Sequence, residues 1–466
     1  MKQRIIALCL CIVVGAAAKA ETGEKAGIIV LPPALYAVEG RECNVYFDNL
    51  LLTDATGLSL DVETTIRGGA QQNERFTVIP EKGGEGSWSL TLFDQRTWEP
   101  EETGECRFYV APANAGEGRT LKVMVIGDSL TSGGVMTQTL LDCAENDPMK
   151  IQLIGTRGRG ENLHEGRGGW SVSNYVTEGL VYYGFSVSGV EVAPAINSAT
   201  YRVDDTVFRV QETRLTNGEG TIVCQRLSGP VPEGSGTMVK TEKQMTGDEE
   251  ISYSSLSRIF GNPFWFDGKV DFAAYLDLHK LERPDWVFIL LGTNDIFRWR
   301  NDADALKQCA ESFAGLDRLI ASIQQSGVTH IGLMLLPPPS RYQDSFGSSY
   351  GTGQTRDRNK RNTLLWAKEM IATYGNREDE GLVIVPVNTA WDSENNANWS
   401  AAAPANSRTD RKISRQNNAV HPSPAGYRQL GDALWAFLKC SEVFPAVNFE
   451  LQKEDAARDS DHNNGQ

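Results

Sequence analysis

A chain of 466 residues is about three times an ordinary domain length, so two or three folded units are expected. Its formal net charge of −15 argues against nucleic acid or an anionic membrane surface as a partner, because both require a basic footprint. Five histidines with no i, i+4 pairing among them argue against a catalytic zinc site.

The chain begins with the pattern of an export signal. Lys2 and Arg4 form a positive start, residues 5–14 are apolar, and Ala18-Lys19-Ala20 supplies the small-x-small cleavage pattern. Residues 1–20 are therefore expected to be a signal peptide cleaved after Ala20, which implies a secreted or periplasmic protein. The apolar run is too short to span a bilayer, and no later stretch approaches the roughly 20 apolar residues a span needs. Cys9 and Cys11 sit inside the apolar run without a small-residue lipobox before them, so no lipid anchor is expected. Six cysteines remain after cleavage, too few for a disulfide framework in so long a chain. Cys43 and Cys106 could pair after export; the alternative is six buried thiols.

Residues 21–118 read as an all-β sandwich. Short apolar or alternating runs at 28–31, 43–47, 58–62, 76–79, 87–92 and 106–110 are separated by Gly, Pro and Asp clusters. A small, turn-prone linker follows at 111–118. From Leu121 the texture changes. Buried-strand runs at 121–126, 151–154, 286–291, 331–336 and 382–387 alternate with helical patterns at 135–143, 304–324, 359–374 and 424–438. That alternation predicts a parallel sheet covered on both faces, an α/β fold over 119–446. Between about 185 and 257 the chain returns to β alternation, which predicts a β-rich insertion. Residues 447–466 are polar and charged and are expected to be a disordered tail.

Four short elements carry chemistry. Gly127-Asp128-Ser129-Leu130 ends the first buried strand, where open α/β sheets place their ligands. A serine there can act as a nucleophile given a base and an oxyanion site, or it can simply cap the next helix. Gly166-Arg167-Gly168-Gly169-Trp170-Ser171 follows the second strand, and glycine lets a backbone N–H approach a substrate oxygen. A tight turn is the plainer reading. Gly158-Arg159-Gly160 lacks the further residues a phosphate loop requires. Gly292-Thr293-Asn294-Asp295 ends the strand at 286–291, and an Asn there can aim its amide at an oxyanion or close an Asx turn. His421-Pro422-Ser423-Pro424 opens the last helix. Of the other histidines, His330 reads as a core or edge residue, His279 and His462 as solvated, and His164 as a loop residue near the glycines.

In this order the four elements resemble the SGNH (GDSL-type) hydrolase superfamily, over roughly 121–439. The resemblance implies a flavodoxin-like three-layer α/β/α domain with its site along the carboxyl edge of the sheet. It implies Ser129 as nucleophile and His421 as general base and acid. The oxyanion hole would comprise the backbone N–H groups of Ser129 and Gly169 and the side chain of Asn294, with no metal or other cofactor. Asp128 and Trp170 are taken as substrate contacts.

The sequence departs from the family pattern in one place. The family block reads Asp-x-x-His, whereas here Asn418-Ala419-Val420-His421 puts Asn418 where the carboxylate orients the histidine. Such a replacement in a site built for Asp can lower turnover by about 10⁴, unless the amide oxygen is held facing the ring. An exported enzyme with an added β domain resembles bacterial carbohydrate esterases, so the expected substrate is an O-acetylated glycan. Trp170, Phe264, Trp265 and Trp299 are candidate sugar-stacking rings. The alternatives are a lipase or thioesterase on the same scaffold, and a non-catalytic glycan-binding protein.

Overall fold

A computed structural model describes residues 27–179, 181–243 and 245–447. The expected signal peptide, and the expected tail beyond Val447, lie outside the described residues.

The N-terminal part contains β1 (Ala34–Val38), β2 (Cys43–Tyr46), β3 (Ser59–Thr64), β4 (Arg75–Val78), β5 (Gly84–Phe93) and β6 (Pro100–Ala111). One sheet runs β1-β6-β5-β3, with β1 parallel to β6 and the other pairs antiparallel; β2 and β4 pair in a second sheet. Both contribute to one apolar cluster that includes Phe47, Phe76, Trp88 and Phe108. Residues 28–31, expected to form a strand, make only an isolated bridge between Ile29 and Leu51. Cys43 and Cys106 lie in different sheets, and both are free thiols.

All five residues of β1 are buried, because its two faces serve two cores. Leu35 and Ala37 point into the N-terminal cluster, while Ala34, Tyr36 and Val38 belong to the main one. Tyr36 meets Phe437 of the last helix edge-on, with ring centroids 5.1 Å apart. The N-terminal sheets are thus packed onto the rest of the molecule rather than tethered to it.

The following stretch holds β7 (Thr120–Gly127), α1 (Ser129–Ser132), α2 (Val135–Glu145), β8 (Lys150–Ile154), β9 (Asn162–Gly166) and α3 (Val172–Val176). A closed antiparallel barrel then interrupts the α/β pattern. Its strands are β10 (Val181–Val187), β11 (Thr200–Val203), β12 (Thr206–Thr216), β13 (Glu219–Ser228), β14 (Gly236–Lys240) and β15 (Glu250–Phe260), in the order β10-β13-β12-β11-β14-β15. Phe185, Tyr201, Phe208 and Ile222 fill a core of its own.

After the barrel come α4 (Phe272–His279), β16 (Trp286–Leu290), α5 (Thr293–Ile296), α6 (Asp302–Gln325), β17 (His330–Met334), α7 (Gln343–Tyr350), α8 (Arg356–Tyr374), β18 (Leu382–Val385) and α9 (Pro424–Ser441). In the central sheet β7 pairs in parallel with β8 along its first half and with β9 at its end. On its other side β16, β17 and β18 follow, all parallel. Counting β8 and β9 as one interrupted strand, the order is 2-1-3-4-5, the doubly wound flavodoxin-like order. Strand order reverses between β7 and β16, and their carboxyl ends open the crevice where such sheets bind ligands. Among the described residues no helix is long and apolar enough to cross a membrane.

Candidate active site

The site begins with a close approach. A Cβ on Gly127 would lie 2.1 Å from Thr131 Oγ1, so glycine at this position lets α1 fold straight back over the end of β7. Asp128 caps that turn, its Oδ1 accepting the Leu130 N–H at 2.8 Å. Ser129 therefore occupies the first helical position, half-buried at the switch point.

His421 reaches it from the loop before α9. Its Nε2 lies 2.8 Å from Ser129 Oγ, and its Nδ1 lies 3.2 Å from Asn418 Oδ1. The backbone N–H of His421 also donates to Asn418 Oδ1, at 3.2 Å. This second bond decides the chemistry. A backbone N–H can only donate, so it holds the amide with oxygen rather than NH₂ toward the ring. Nδ1 facing that oxygen must then carry the hydrogen, which leaves Nε2 free to accept the Ser129 proton. Asn418 thus selects the same tautomer as an aspartate would, without the negative charge. Burial holds the His421 pKa below the ordinary imidazole value.

Ser340, which is fully buried, holds the base loop from behind. Its Oγ donates to the Asn418 carbonyl at 2.7 Å and its N–H to the Ala419 carbonyl at 2.8 Å. The next residue, Arg341, pairs with Asp48 and Asp54 of the N-terminal part at 2.9 and 3.2 Å.

Gly169 sits in an exposed turn with φ +78°, a conformation that favours glycine. Asn294 Nδ2 donates to the Trp170 carbonyl at 2.8 Å and to Asp128 Oδ2 at 3.3 Å. The shorter bond ties the glycine turn to α5. The longer, weaker one is the proton that Asn294 can redirect to an oxyanion. Burial pushes the Asp128 carboxyl up to about 7, and its neutral form competes less for that proton. Asp295 completes the clamp by accepting the Val172 N–H at the start of α3, at 3.3 and 3.2 Å to its two oxygens, and the Ser312 hydroxyl at 3.0 Å.

Three expectations need correction. Asp128 is fully buried, with its oxygens engaged by Leu130 and Asn294, so it forms the floor of the site rather than a substrate contact. Phe264 and Trp299 are core residues, at 0% and 6% exposure, and are not available for stacking on a sugar. Trp170 and Trp265 are only half-buried, and both line one cleft beside the glycine turn. Ser340 and Asp295 join the site beyond the residues that the four motifs single out; Asp295 directly follows Asn294 in its motif, whereas nothing local marks Ser340.

Comparison with known proteins adds one firm point. Residues 267–429 match the GDSL-like Lipase/Acylhydrolase family. The matched stretch contains Asn294 and His421; Ser129 and Gly169 precede it, separated by the barrel. No curated protein matches the chain. Among solved structures, a peptidoglycan O-acetylesterase is 14% identical, covering 70% of this chain and 92% of its own, with a TM-score of 0.28. The native aryl esterase of M. smegmatis is 14% identical over 68% of this chain and 98% of its own, with a TM-score of 0.28. The architecture of this chain rests on its own strand order.

Proposed function

We propose that the protein is a secreted serine ester hydrolase that removes O-acetyl groups from carbohydrates. The observation that carries the hydrolytic reading is the Ser129–His421–Asn418 chain, with contacts of 2.8 and 3.2 Å and the amide oxygen facing the ring. His421 Nε2 takes the hydroxyl proton as Ser129 Oγ attacks the ester carbonyl. The Ser129 and Gly169 N–H groups and the Asn294 amide receive the oxyanion, each such donor contributing about 10²–10³ in rate. His421 then protonates the departing alcohol, and water, deprotonated by the same imidazole, releases acetate and free Ser129.

The family match favours ester hydrolysis and leaves the alcohol open. The carbohydrate reading rests on the half-buried Trp170 and Trp265, whose rings can pack against pyranose faces, and on the appended β domain. Export rests on the pattern of residues 1–20. The test is acetate release from a panel of acetylated glycans by the mature protein, with Ser129→Ala as control. Turnover should fall by at least about 10³ in that variant. Full activity in Ser129→Ala would overturn the mechanism. Faster cleavage of p-nitrophenyl decanoate than of the acetate would favour a lipase.

A further inference from the structure

A cleft of about 940 Å³ lies beside the candidate site, between the inserted barrel and the glycine turn. Ser132 and Gly168 form its inner end. Ser132 is one helical turn beyond the nucleophile, and its Oγ donates to the Ser129 carbonyl at 3.4 Å. Gly168 directly precedes the candidate oxyanion donor. The cleft therefore starts where one side of a bound ester would end.

Its outer wall is made by the barrel, and a β-bulge shapes that wall. The register of β12 against β13 shifts between Val210 and Glu212. The extra residue is Gln211, so Gln211 and Glu212 both face the cleft, and Arg214 follows on the same side. Without the bulge, alternation would turn one of the first two into the barrel core. Glu212 and Arg214 form a bidentate pair at 2.9 and 3.0 Å. The inner wall brings Arg157 and Arg167, and the half-buried Trp265 also lines the cleft.

The charge is the informative feature. Three guanidinium groups line this cleft against one carboxylate, on a chain of net charge −15. Arg214 is matched by Glu212, and Arg167 by the fully buried Glu165 at 2.9 Å. Arg157 is exposed and, among the described residues, makes no ion pair. The Arg167 Nε is buried with no hydrogen-bond partner, while its guanidinium lies over the Trp170 ring at 5.1 Å. The two walls also sense each other. The Glu212 carboxyl is held low by its hydrogen bond from Arg214, and Arg157 and Arg167 push it further in the same direction.

We propose that this cleft is the subsite for the alcohol side of the ester, that the barrel supplies its specificity, and that it selects an acidic saccharide. A sugar carboxylate would engage Arg157, the ring would pack on Trp265, and the hydroxyls would meet Gln211 and the Glu212–Arg214 pair. The proposal rests on the ester-hydrolase reading above.

The test compares two acetylated oligosaccharides of equal length, an oligogalacturonate and a xylo-oligosaccharide, with p-nitrophenyl acetate as reference. The mature protein should prefer the acidic substrate, with a preference that weakens in high salt. In Arg157→Gln the ratio of kcat/KM for the acidic to the neutral oligosaccharide should fall about tenfold, whereas Arg214→Gln, at the hydroxyl contact, should lower kcat/KM for both oligosaccharides. Arg209→Gln, on the exposed side of the same strand but outside the cleft, should leave that ratio unchanged. Equal rates on both glycans, or an unchanged ratio in Arg157→Gln, would overturn the subsite while the p-nitrophenyl reaction still stood. Loss of that reference reaction in the wild-type protein would instead overturn the hydrolase reading.

Discussion

Asn418→Asp puts a carboxylate where the structure has a neutral acceptor, and the geometry sets both the sign and the size of the effect. Oδ1 already stands 3.2 Å from Nδ1 and 3.2 Å from the backbone N–H of His421, so an isosteric carboxylate can accept the same two bonds. When His421 takes the Ser129 proton, the imidazolium forms beside it. A charge-assisted hydrogen bond is worth about 1–1.5 kcal/mol more than a neutral one, and 1.36 kcal/mol corresponds to a tenfold change in rate. The plateau kcat should therefore rise about tenfold. The same energy raises the His421 pKa by about one unit, so the acid limb moves to higher pH while the plateau climbs.

In the native protein burial lowers that pKa, so activity should persist below about pH 6.5 and disappear only as the pH falls through the lowered value. The assay is a pH profile of p-nitrophenyl acetate hydrolysis, paired with an NMR titration of the His421 ring. The titration is needed because burial pushes Asp128 up to about 7 and Asp295 up to about 6, within the same range. Asn418→Ala removes both bonds and should lower kcat about ten- to a hundredfold. A wild-type profile in either variant would refute the orienting role of Asn418.

Other substitutions test the supports. Ser340→Ala removes the hydroxyl that holds the Asn418 carbonyl; kcat should fall about three- to tenfold with KM nearly unchanged, and Ser340→Thr should restore part of it. Asp48→Asn strips a partly buried carboxylate from Arg341 and from the buried Arg356 and Lys360, leaving those cations uncompensated, and should destabilise the fold by about 3–5 kcal/mol in denaturant melts. Burial raises the Asp48 carboxyl but those three cations outweigh it and leave its pKa lowered, so its contribution is present at neutral pH and lost as the pH falls through that lowered value. Gly127→Ala forces a methyl group onto Thr131 and should destabilise by about 1–3 kcal/mol while displacing Ser129, read as a lower Tm together with a lower kcat.

Much of this protein was determined locally. The apolar runs ending at Ile126 and Leu291, interrupted only by Lys122, have no continuous polar face, so they belong inside a parallel sheet wherever the rest of the chain goes. Ser129 and Asn294 directly follow such runs, and any parallel sheet that includes both must bring them to one edge. Pro424 and Ser423 mark the start of the last helix, and so the loop that carries His421. Other features depend on partners distant in sequence. β1 reads as five apolar residues because it is shared between two cores, and β9 is polar because it borders the sheet for only two residues. The fate of Asp128 follows from Asn294, 166 residues away, and the hold on Asn418 follows from Ser340, 78 residues before it. Sequence alone shows an asparagine where a carboxylate is expected. Only the folded geometry decided which end of its amide faces the imidazole: Ser340, distant in sequence, holds the loop, and within it the His421 N–H can only donate and so takes the amide oxygen rather than the NH₂.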